Sequence, residues 1–300
     1  MEIIFVAGIQ KFNFLPINSM NSVVIMRLGW ELSYSEKLTK PKDLRNPDAP
    51  QNRKPLTGLE KLYIRVFGMP DTVKQQQARV VFRILAQLKP FSSVLDVGCA
   101  QGHYSIRIAR EYPHSKVKGV DVDEEKLNVG KQTMQNFGLS NLTFEERDVF
   151  ESWDGGKYDV VLLLQVIEHL EDDATGLKKI GTMIKKDGHL IITGPNIESP
   201  SIIKYVNRYV SVLGHYRDGY KVQDLVKMVK EASFRVERVE RLSGSIGELS
   251  EKLETYFQMN LFPVFPLLYP FIYCLSLLDD HFGAKDEKQT SGILIVAQRN

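Results

Sequence analysis

The chain has few cysteines and almost no excess charge. Its 300 residues include two cysteines, Cys99 and Cys274, and 39 basic residues against 37 acidic ones. Two cysteines this far apart fit neither a disulfide framework nor a zinc site, so they predict a reducing compartment and no structural metal. A net charge of +2 gives no field that would collect nucleic acid by charge alone. With 43% hydrophobic residues, the chain is neither disordered nor fibrous.

The pattern of a secretory leader is also missing. The apolar run at residues 3–9 follows Glu2, where a signal peptide needs positive charge, and no small-residue cleavage pattern comes after it. We therefore expect a cytoplasmic protein.

Residues 36–55 are polar and contain four prolines. Such a segment buries too little apolar surface to fold, so it predicts a linker or an arm. We accordingly divide the chain into an N-terminal arm and linker, residues 1–70 and partly disordered, and a folded domain, residues 71–300.

From residue 71 onward, short apolar runs alternate with helical patterns. The runs at 93–97, 117–122, 158–164 and 189–193 are rich in β-branched residues, as is typical of strands buried on both faces. Strand and helix in alternation predict a parallel sheet with right-handed crossovers. Two later strands, 234–242 and 292–297, are separated by an insertion at about 243–290.

The corner after the first of these strands carries Gly98 and Gly102. Glycine there lets the backbone turn sharply and lets a ligand approach the main chain. Asp121, at the end of the next strand, is placed to bind ribose hydroxyls, the alternative being that it starts the next helix. Asp148, after the third strand, is either a cofactor contact or an exposed acid in a turn. The corner lacks the middle and third glycines of a dinucleotide motif, which argues against a pyrophosphate site and hydride transfer.

Five segments in order, VLDVGCAQG, GVDVDEEKL, FEERDVF, YDVVLLLQVIEHLEDD and KKDGHLIITGPN, resemble the class I S-adenosylmethionine-dependent methyltransferases over residues 75–300. Within that superfamily the chain is similar to the group that includes the ubiquinone-pathway and glycan or natural-product enzymes. The resemblance implies an α/β fold: a Rossmann-like, doubly wound, seven-stranded sheet with its last strand antiparallel. It also implies S-adenosylmethionine as cofactor and methyl transfer as the activity.

The resemblance assigns cofactor contacts to individual residues. Asp121 would bind both ribose hydroxyls, and Asp148 would accept from the adenine amino group. The remaining positions are Asp96, Gly98, Cys99, Ala100 and Gly102 around the methionine portion, Val122 and Val149 beside the adenine, and Gln165 lining the site. The family usually has glycine at position 100, so we expect a negative φ at Ala100 and a slightly weaker affinity for the cofactor.

Glu168 and His169 follow the fourth strand and are expected at the mouth of the site. Either could act as the catalytic base that takes the proton of a hydroxyl acceptor. The alternative is that the pair caps or orients the following loop. One pair supplies too few ligands for a metal ion, and none is predicted.

On the acceptor side, the segment after the fifth motif resembles the roof of the acceptor pocket in relatives. This implies substrate contacts for Asn196, His215, Tyr216 and Tyr220, with Arg217 nearby. Packing of a lid helix is the alternative role for the two tyrosines.

Residues 261–278 contain no charge and reach the lower length limit of a membrane span, but Pro263, Pro266 and Pro270 would strain such a helix. A span would also separate the last strand from its sheet across the bilayer. Two interpretations remain, a buried cap over the acceptor pocket and a shallow lipid-facing element with peripheral membrane contact. Both favour a hydrophobic or lipid-tailed acceptor.

We therefore expect an enzyme that methylates a small-molecule or lipid-linked acceptor, at oxygen before nitrogen or carbon. A non-catalytic S-adenosylmethionine-binding regulatory or scaffold protein is the alternative.

Overall fold

A computed structural model describes residues 36–38, 53–55, 71–199, 216–260, 264–282 and 290–300. The chain divides into two units, residues 1–69 and 70–300. In the first unit, strands β1 (Glu36–Leu38) and β2 (Arg53–Pro55) pair in antiparallel fashion. Both strands lie within residues 36–55, the segment predicted as a linker or an arm, and that role stays a prediction.

The second unit alternates strands and helices along the chain. Its elements are α1 (Thr72–Gln87), β3 (Ser93–Val97), α2 (His103–Glu111), β4 (Lys116–Asp121), α3 (Glu124–Asn136), β5 (Leu142–Glu146), β6 (Tyr158–Leu164), a 3-10 turn (Ile167–His169), α4 (Asp173–Thr182), β7 (Ile184–Pro195), α5 (Val222–Glu231), β8 (Phe234–Arg241), α6 (Ser245–Asn260), α7 (Phe265–Phe282) and β9 (Gly292–Arg299).

Strands β3 to β9 form one seven-stranded sheet in the order β5-β4-β3-β6-β7-β9-β8. Strand β9 runs antiparallel to both of its neighbours, β7 and β8, and the pairs among β3 to β7 are parallel. This confirms the predicted doubly wound sheet with an antiparallel last strand. The strand order reverses between β3 and β6, and in such sheets ligands bind at the carboxyl ends of the strands near the reversal.

The buried surfaces explain why these segments become strands and helices. Strands β6, β7 and β9 contribute fully buried Leu163, Ile192 and Ile295 to a core that also takes Leu177 from α4 and Leu225 from α5. Strands buried on both faces read as continuous apolar runs, which is the pattern that the sequence shows.

Acidic residues begin three of the helices. Asp71, Asp123 and Asp172 each accept a hydrogen bond from a backbone N–H in the first turn of α1, α3 and α4. These side chains satisfy donors that have no partner within the helix. Asp123 is therefore the N-cap of α3.

Helices α6 and α7 form the insertion between β8 and β9, and α7 contains most of the uncharged stretch 261–278. Helix α7 packs against α6 and α1. Its residues Phe265, Tyr269 and Ile272 are buried, whereas Leu267 and Phe271 are 73% and 75% exposed. Over the described ranges, no helix combines the length and the apolar character that crossing a membrane requires.

Gly102 and Gly138 both have left-handed backbone, but a side chain would clash with a neighbour only at Gly102. Gly102 and Gly138 have φ values of +76° and +63°. A Cβ at Gly102 would lie 2.3 Å from Phe144 Cζ, whereas one at Gly138 meets no described atom within 4 Å. We expect Gly138→Ala to lower the free energy of unfolding by about 1–2 kcal/mol, and Gly102→Ala by clearly more. Urea denaturation measures both, and equal losses would show that the Phe144 contact is unimportant.

Candidate functional site

Asp121 connects the loops that follow β3, β4 and β5. One carboxylate oxygen, Oδ2, accepts from the N–H of Ala100 at 2.7 Å, and Oδ1 accepts from the N–H of Asp123 at 2.9 Å. The carbonyl oxygen of Asp121 accepts from the N–H of Arg147 at 3.0 Å. A carboxylate offers about four lone-pair sites, so capacity remains for a ligand. Asp121 therefore lies beside the glycine corner, as ribose binding requires.

The corner itself is left-handed at three residues. Gly98, Ala100 and Gly102 have φ values of +68°, +49° and +76°. The expectation of a negative φ at Ala100 is wrong. Its N–H donates to the Asp121 carboxylate, and a charge-assisted hydrogen bond of this kind can offset the strain of a non-glycine residue in the left-handed region.

Neighbouring side chains leave no space for a Cβ at Gly98 or Gly102. A Cβ at Gly98 would lie 2.3 Å from Val166 Cγ2, and one at Gly102 would meet Phe144. The sequence pattern indicated only turning and ligand approach at both glycines and did not reveal the contacts with Val166 and Phe144. Since Val166 directly precedes the 3-10 turn, the glycine corner and that turn pack against each other.

Asp96 and Cys99 lie within the protein interior. Burial raises the pKa of Asp96 to about 7, although the Ser105 hydroxyl donates to its carboxylate at 2.6 Å. Burial also raises the pKa of the Cys99 thiol, whose Sγ would lie 2.8 Å from a Cβ at Gly119 of β4. Both side chains anchor the corner to the core. Their cofactor contacts stay predictions, and Cys99 would make its contact through the main chain.

The residues expected beside the adenine lie on the β4 and β5 side. Asp148 is exposed, and its Oδ1 accepts from the N–H of Phe150 at 2.8 Å. Val122 is 64% exposed next to Asp121, and Val149 packs partly against the core. The exposed valine presents an apolar surface that an aromatic ring could cover, so these contacts stay predictions compatible with the geometry.

Gln165 links four elements at the end of β6. Its backbone N–H donates to Thr193 Oγ1 of β7 at 3.0 Å, and its Nε2 donates to Gln77 Oε1 of α1 at 3.3 Å. Gln77 in turn donates to the Tyr104 hydroxyl of α2 at 2.8 Å. The sequence motifs did not indicate Gln77. A polar residue at helical spacing from the apolar Val81 was the available signal.

Glu168 and His169 occupy different environments. Glu168 is 1% exposed, its Oε2 has no hydrogen-bond partner among the described residues, and burial raises its pKa to about 7. His169 is exposed. A buried carboxyl group with such a pKa can take up a proton near neutral pH, so of the two it is Glu168 whose surroundings suit a base.

The segment 216–220 holds the turn that carries Glu168. The N–H of Tyr216 donates to the carbonyl oxygen of Glu168 at 3.0 Å. The hydroxyl of Tyr220 lies 3.1 Å from the carbonyl oxygen of Ile167 and 2.9 Å from the carboxylate of Asp173. Burial raises the pKa of Tyr220, which keeps its hydroxyl protonated.

Arg217, in the same segment, holds the residues that follow the 3-10 turn. Its Nη1 donates to the carbonyl oxygen of Leu170 and its Nη2 to that of Glu171, both at 3.2 Å. The guanidinium also forms an ion pair with Asp173, the first residue of α4. We call residues 216–220 the clamp, because they fix both sides of the 3-10 turn. The family resemblance implied only a position near the acceptor for Arg217.

The four predicted substrate residues differ in their surroundings. The Asn196 side chain donates to the carbonyl oxygen of Thr290 at 2.8 Å and accepts from the N–H of Glu198 at 3.0 Å, so its amide is already engaged. Tyr220 is buried in the clamp, and Tyr216 is 61% exposed. His215 lies outside the described residues. Substrate contact by these residues stays a prediction.

The chain matches a known protein family and shares sequence identity with individual relatives. The family described as a methyltransferase domain matches residues 88–256, more than half of the chain. The ubiquinone biosynthesis O-methyltransferase of Acinetobacter baylyi is 27% identical over 152 residues, 48% of this chain and 63% of that protein. The probable (S)-tetrahydroprotoberberine N-methyltransferase 2 of Papaver bracteatum is 30% identical over 107 residues, 36% of this chain and 30% of that protein. The chain thus matches less than two thirds of the length of either relative.

Solved structures share the fold. A putative sarcosine dimethylglycine methyltransferase from Galdieria sulphuraria has a TM-score of 0.54 at 12% identity, covering 79% of this chain and 87% of that one. The [4+2]-cyclase SpnF has a TM-score of 0.52 at 16% identity, covering 75% of this chain and 82% of that one. Because identities this low show only the fold, the family rests on the domain match and on the motifs that the sheet brings together. By these criteria the chain belongs to the class I S-adenosylmethionine-dependent methyltransferases.

Proposed function

We propose that the protein transfers a methyl group from S-adenosylmethionine to an oxygen atom of a small-molecule or lipid-linked acceptor, with Glu168 as general base. The observation that carries this proposal is the Glu168 carboxyl group, which is buried, has an unpartnered oxygen and has a pKa raised to about 7. A hydroxyl acceptor must lose its proton near the transition state, and a group titrating near neutral pH is suited to take it.

The residues at the sheet edge fit the cofactor. The Asp121 carboxylate keeps lone pairs for the two ribose hydroxyls after accepting from Ala100 and Asp123. Val122 offers exposed apolar surface for the adenine, and Asp148 would accept from its amino group. When bound, S-adenosylmethionine supplies a methyl group that its sulfonium already makes electrophilic, so the protein contributes binding and placement.

Within this site the chain orients and deprotonates the acceptor. Glu168 would take the hydroxyl proton on Oε2, the oxygen that has no other partner in the described part of the chain. The clamp keeps Glu168 in place through the main chain of its turn. Alignment of the acceptor oxygen with the methyl group can contribute roughly 7 kcal/mol of barrier lowering.

Transfer to nitrogen is the second candidate, because an N-methyltransferase is among the relatives. A non-catalytic cofactor-binding protein is the third. Incubation with methyl-labelled cofactor and a cell lipid extract separates them. A labelled product whose methyl is bonded to oxygen supports the proposal, a product labelled at nitrogen supports the second candidate, and binding without product over broad acceptor screening supports the third.

Asp121→Ala tests the cofactor site. The substitution removes hydrogen bonds to a charged group, each worth about 1.5–3 kcal/mol, so we expect affinity for S-adenosylhomocysteine to fall at least about tenfold. Isothermal titration calorimetry measures this affinity. Asp123→Asn is the matched control, because asparagine also caps a helix and Asp123 is assigned no cofactor contact. Unchanged affinity in Asp121→Ala would place the ribose elsewhere.

Glu168→Gln tests the base through pH. With a pKa of about 7, the free Glu168 carboxylate predominates only above that pH, so wild-type kcat/KM should rise with pH and level off above about pH 7. Glu168→Gln should lower kcat by about 10²–10⁴-fold and remove this rise. A variant that keeps the wild-type pH profile would exclude Glu168 as the base.

The raised pKa of Glu168 also predicts that the stability of the folded protein falls as pH rises, whereas the activity increases. Burial disfavours charged Glu168, so the folded protein should lose stability as pH rises from about 4.5, near the unfolded pKa, to about 7. The Glu168→Gln protein should lack this part of the loss in urea denaturation at pH 5 and pH 8. An identical pH dependence in both proteins would show that Glu168 is not desolvated.

Arg217→Met tests the clamp. Arg217 acts through the Glu168 turn, so we expect kcat to fall about tenfold or more while affinity for S-adenosylhomocysteine stays unchanged. Arg217→Lys should recover only part of the activity, because lysine cannot donate to two carbonyl groups and Asp173 in the same fixed geometry. Equal kcat in all three proteins would mean that the clamp does not position Glu168.

A further inference from the structure

The side-chain amide of Gln165 is held by its nitrogen and keeps its oxygen available. Its Nε2 donates to Gln77 Oε1 at 3.3 Å and to Thr193 Oγ1 at 3.4 Å, so both of its N–H groups have acceptors. Its Oε1 has no hydrogen-bond partner in the part of the chain that the structure describes. An amide oxygen has two lone pairs, so this atom can accept hydrogen bonds from a bound ligand.

The backbone of Gln165 is fixed in an uncommon conformation. Its φ is +56°, in the left-handed region that residues other than glycine seldom occupy. Its N–H donates to the hydroxyl oxygen of Thr193 at 3.0 Å and lies 3.2 Å from the carbonyl oxygen of the same residue. Such a conformation persists only where the surrounding structure enforces it, and it is common at ligand sites. Thr193 therefore restrains both the backbone and the side chain of Gln165.

Gln77 of α1 supplies the other restraint on the Gln165 amide. Gln77 is 4% exposed, and its Nε2 donates to the Tyr104 hydroxyl of α2 at 2.8 Å. The Tyr104 ring stacks on Phe82 of α1, with the ring centroids 6.4 Å apart. The Gln77 amide is thus itself fixed between two helices. A side chain at position 77 without an oxygen would remove one of the two acceptors that hold the Gln165 nitrogen.

Gln165 lies beside the glycine corner. Strand β6 pairs in parallel with β3, and Val166, the next residue, packs so closely on Gly98 that a Cβ there would lie 2.3 Å from it. The family resemblance places the methionine portion of the cofactor at this corner. That portion carries an ammonium group, which only donates hydrogen bonds, and a carboxylate, which only accepts them. An amide oxygen can therefore pair with the ammonium group alone.

We propose that Gln77 is a positioning residue for the cofactor: by holding the Gln165 nitrogen, it presents the Gln165 oxygen to the ammonium group of the methionine portion. Gln165 makes the contact, and Gln77 acts through it. This inference rests on the proposed cofactor site at Asp121, and it does not depend on the acceptor or on Glu168. It gives a binding role to α1, a helix that precedes all five sequence motifs.

Two ligands separate the methionine portion from the rest of the cofactor. S-adenosylhomocysteine contains the ammonium group, whereas methylthioadenosine keeps the adenine, the ribose and the sulfur and lacks it. Gln77→Met has a similar length and no amide. In isothermal titration calorimetry it should weaken S-adenosylhomocysteine binding about fivefold, the factor for one ordinary hydrogen bond, and leave methylthioadenosine binding unchanged.

Gln77→Glu is the matched control. Glutamate keeps an oxygen that accepts from Gln165 Nε2, and the Tyr104 hydroxyl can donate to its other oxygen. We therefore expect Gln77→Glu to recover most of the affinity for S-adenosylhomocysteine that Gln77→Met loses.

A double variant shows whether Gln77 acts through Gln165. Gln165→Met removes the accepting oxygen, so affinity for S-adenosylhomocysteine should fall about tenfold. Adding Gln77→Met to Gln165→Met should cause no further loss, because both residues serve one contact. Asp121→Ala removes ribose contacts that both ligands share and should weaken both. The Asp121 result therefore tests the cofactor site separately from the role of Gln77.

Three results would overturn the proposal. One is wild-type affinity for S-adenosylhomocysteine in Gln77→Met. Another is an equal loss for both ligands in that variant, because Gln77 would then only support the fold. The third is a double variant whose loss of binding free energy equals the sum of the two single losses, because Gln77 would then act independently of Gln165.

Discussion

The site depends on the hydrogen bond from the Ala100 N–H to the Asp121 carboxylate. At 2.7 Å it joins the loop after β3 to the end of β4, and the carbonyl group of Asp121 joins the same point to the loop after β5. The parallel sheet brings these three loops to one edge, and the bond sets their spacing. It also accounts for the left-handed conformation of Ala100, where the family usually has glycine. Asp121, which we propose holds the cofactor sugar, thus also organises the loop expected beneath the methionine portion.

A second constraint is the burial of Glu168. Removing a carboxyl group from water disfavours its charged form, which raises its pKa toward the range in which a base works at neutral pH. Such a group is useful only if it stays in place, and the clamp holds its turn through main-chain carbonyl groups on both sides. The clamp therefore fixes the backbone of Glu168, and the buried side-chain Oε2 has no hydrogen-bond partner among the described residues.

The sequence predicts the features that follow from local pattern. Alternating strands and helices predicted the parallel sheet, and the family resemblance implied its doubly wound form. An acid at the end of a strand predicted that Asp121 lies beside the glycine corner. The sequence could not predict contacts between side chains distant in the chain. The packing of Val166 against Gly98, and of Phe144 against Gly102, depends on how the strands pair. The φ of Ala100 depends on a carboxylate 21 residues away. The role of Arg217 depends on carbonyl groups whose positions no motif records.

The uncharged stretch forms a helix with two different sides, and its two interpretations, a cap and a lipid-facing element, stay predictions. Tyr269 and its neighbours pack into the domain, and Leu267 and Phe271 face outward. Hydropathy alone reports that a segment is apolar and cannot assign its two sides to different surroundings.

A crystal structure with S-adenosylhomocysteine tests the account most directly. We expect both ribose hydroxyls within hydrogen-bonding distance of the Asp121 carboxylate, and the sulfur facing a cleft that Glu168 borders. A ribose bound away from Asp121, or a sulfur separated from Glu168 by packed protein, would contradict it.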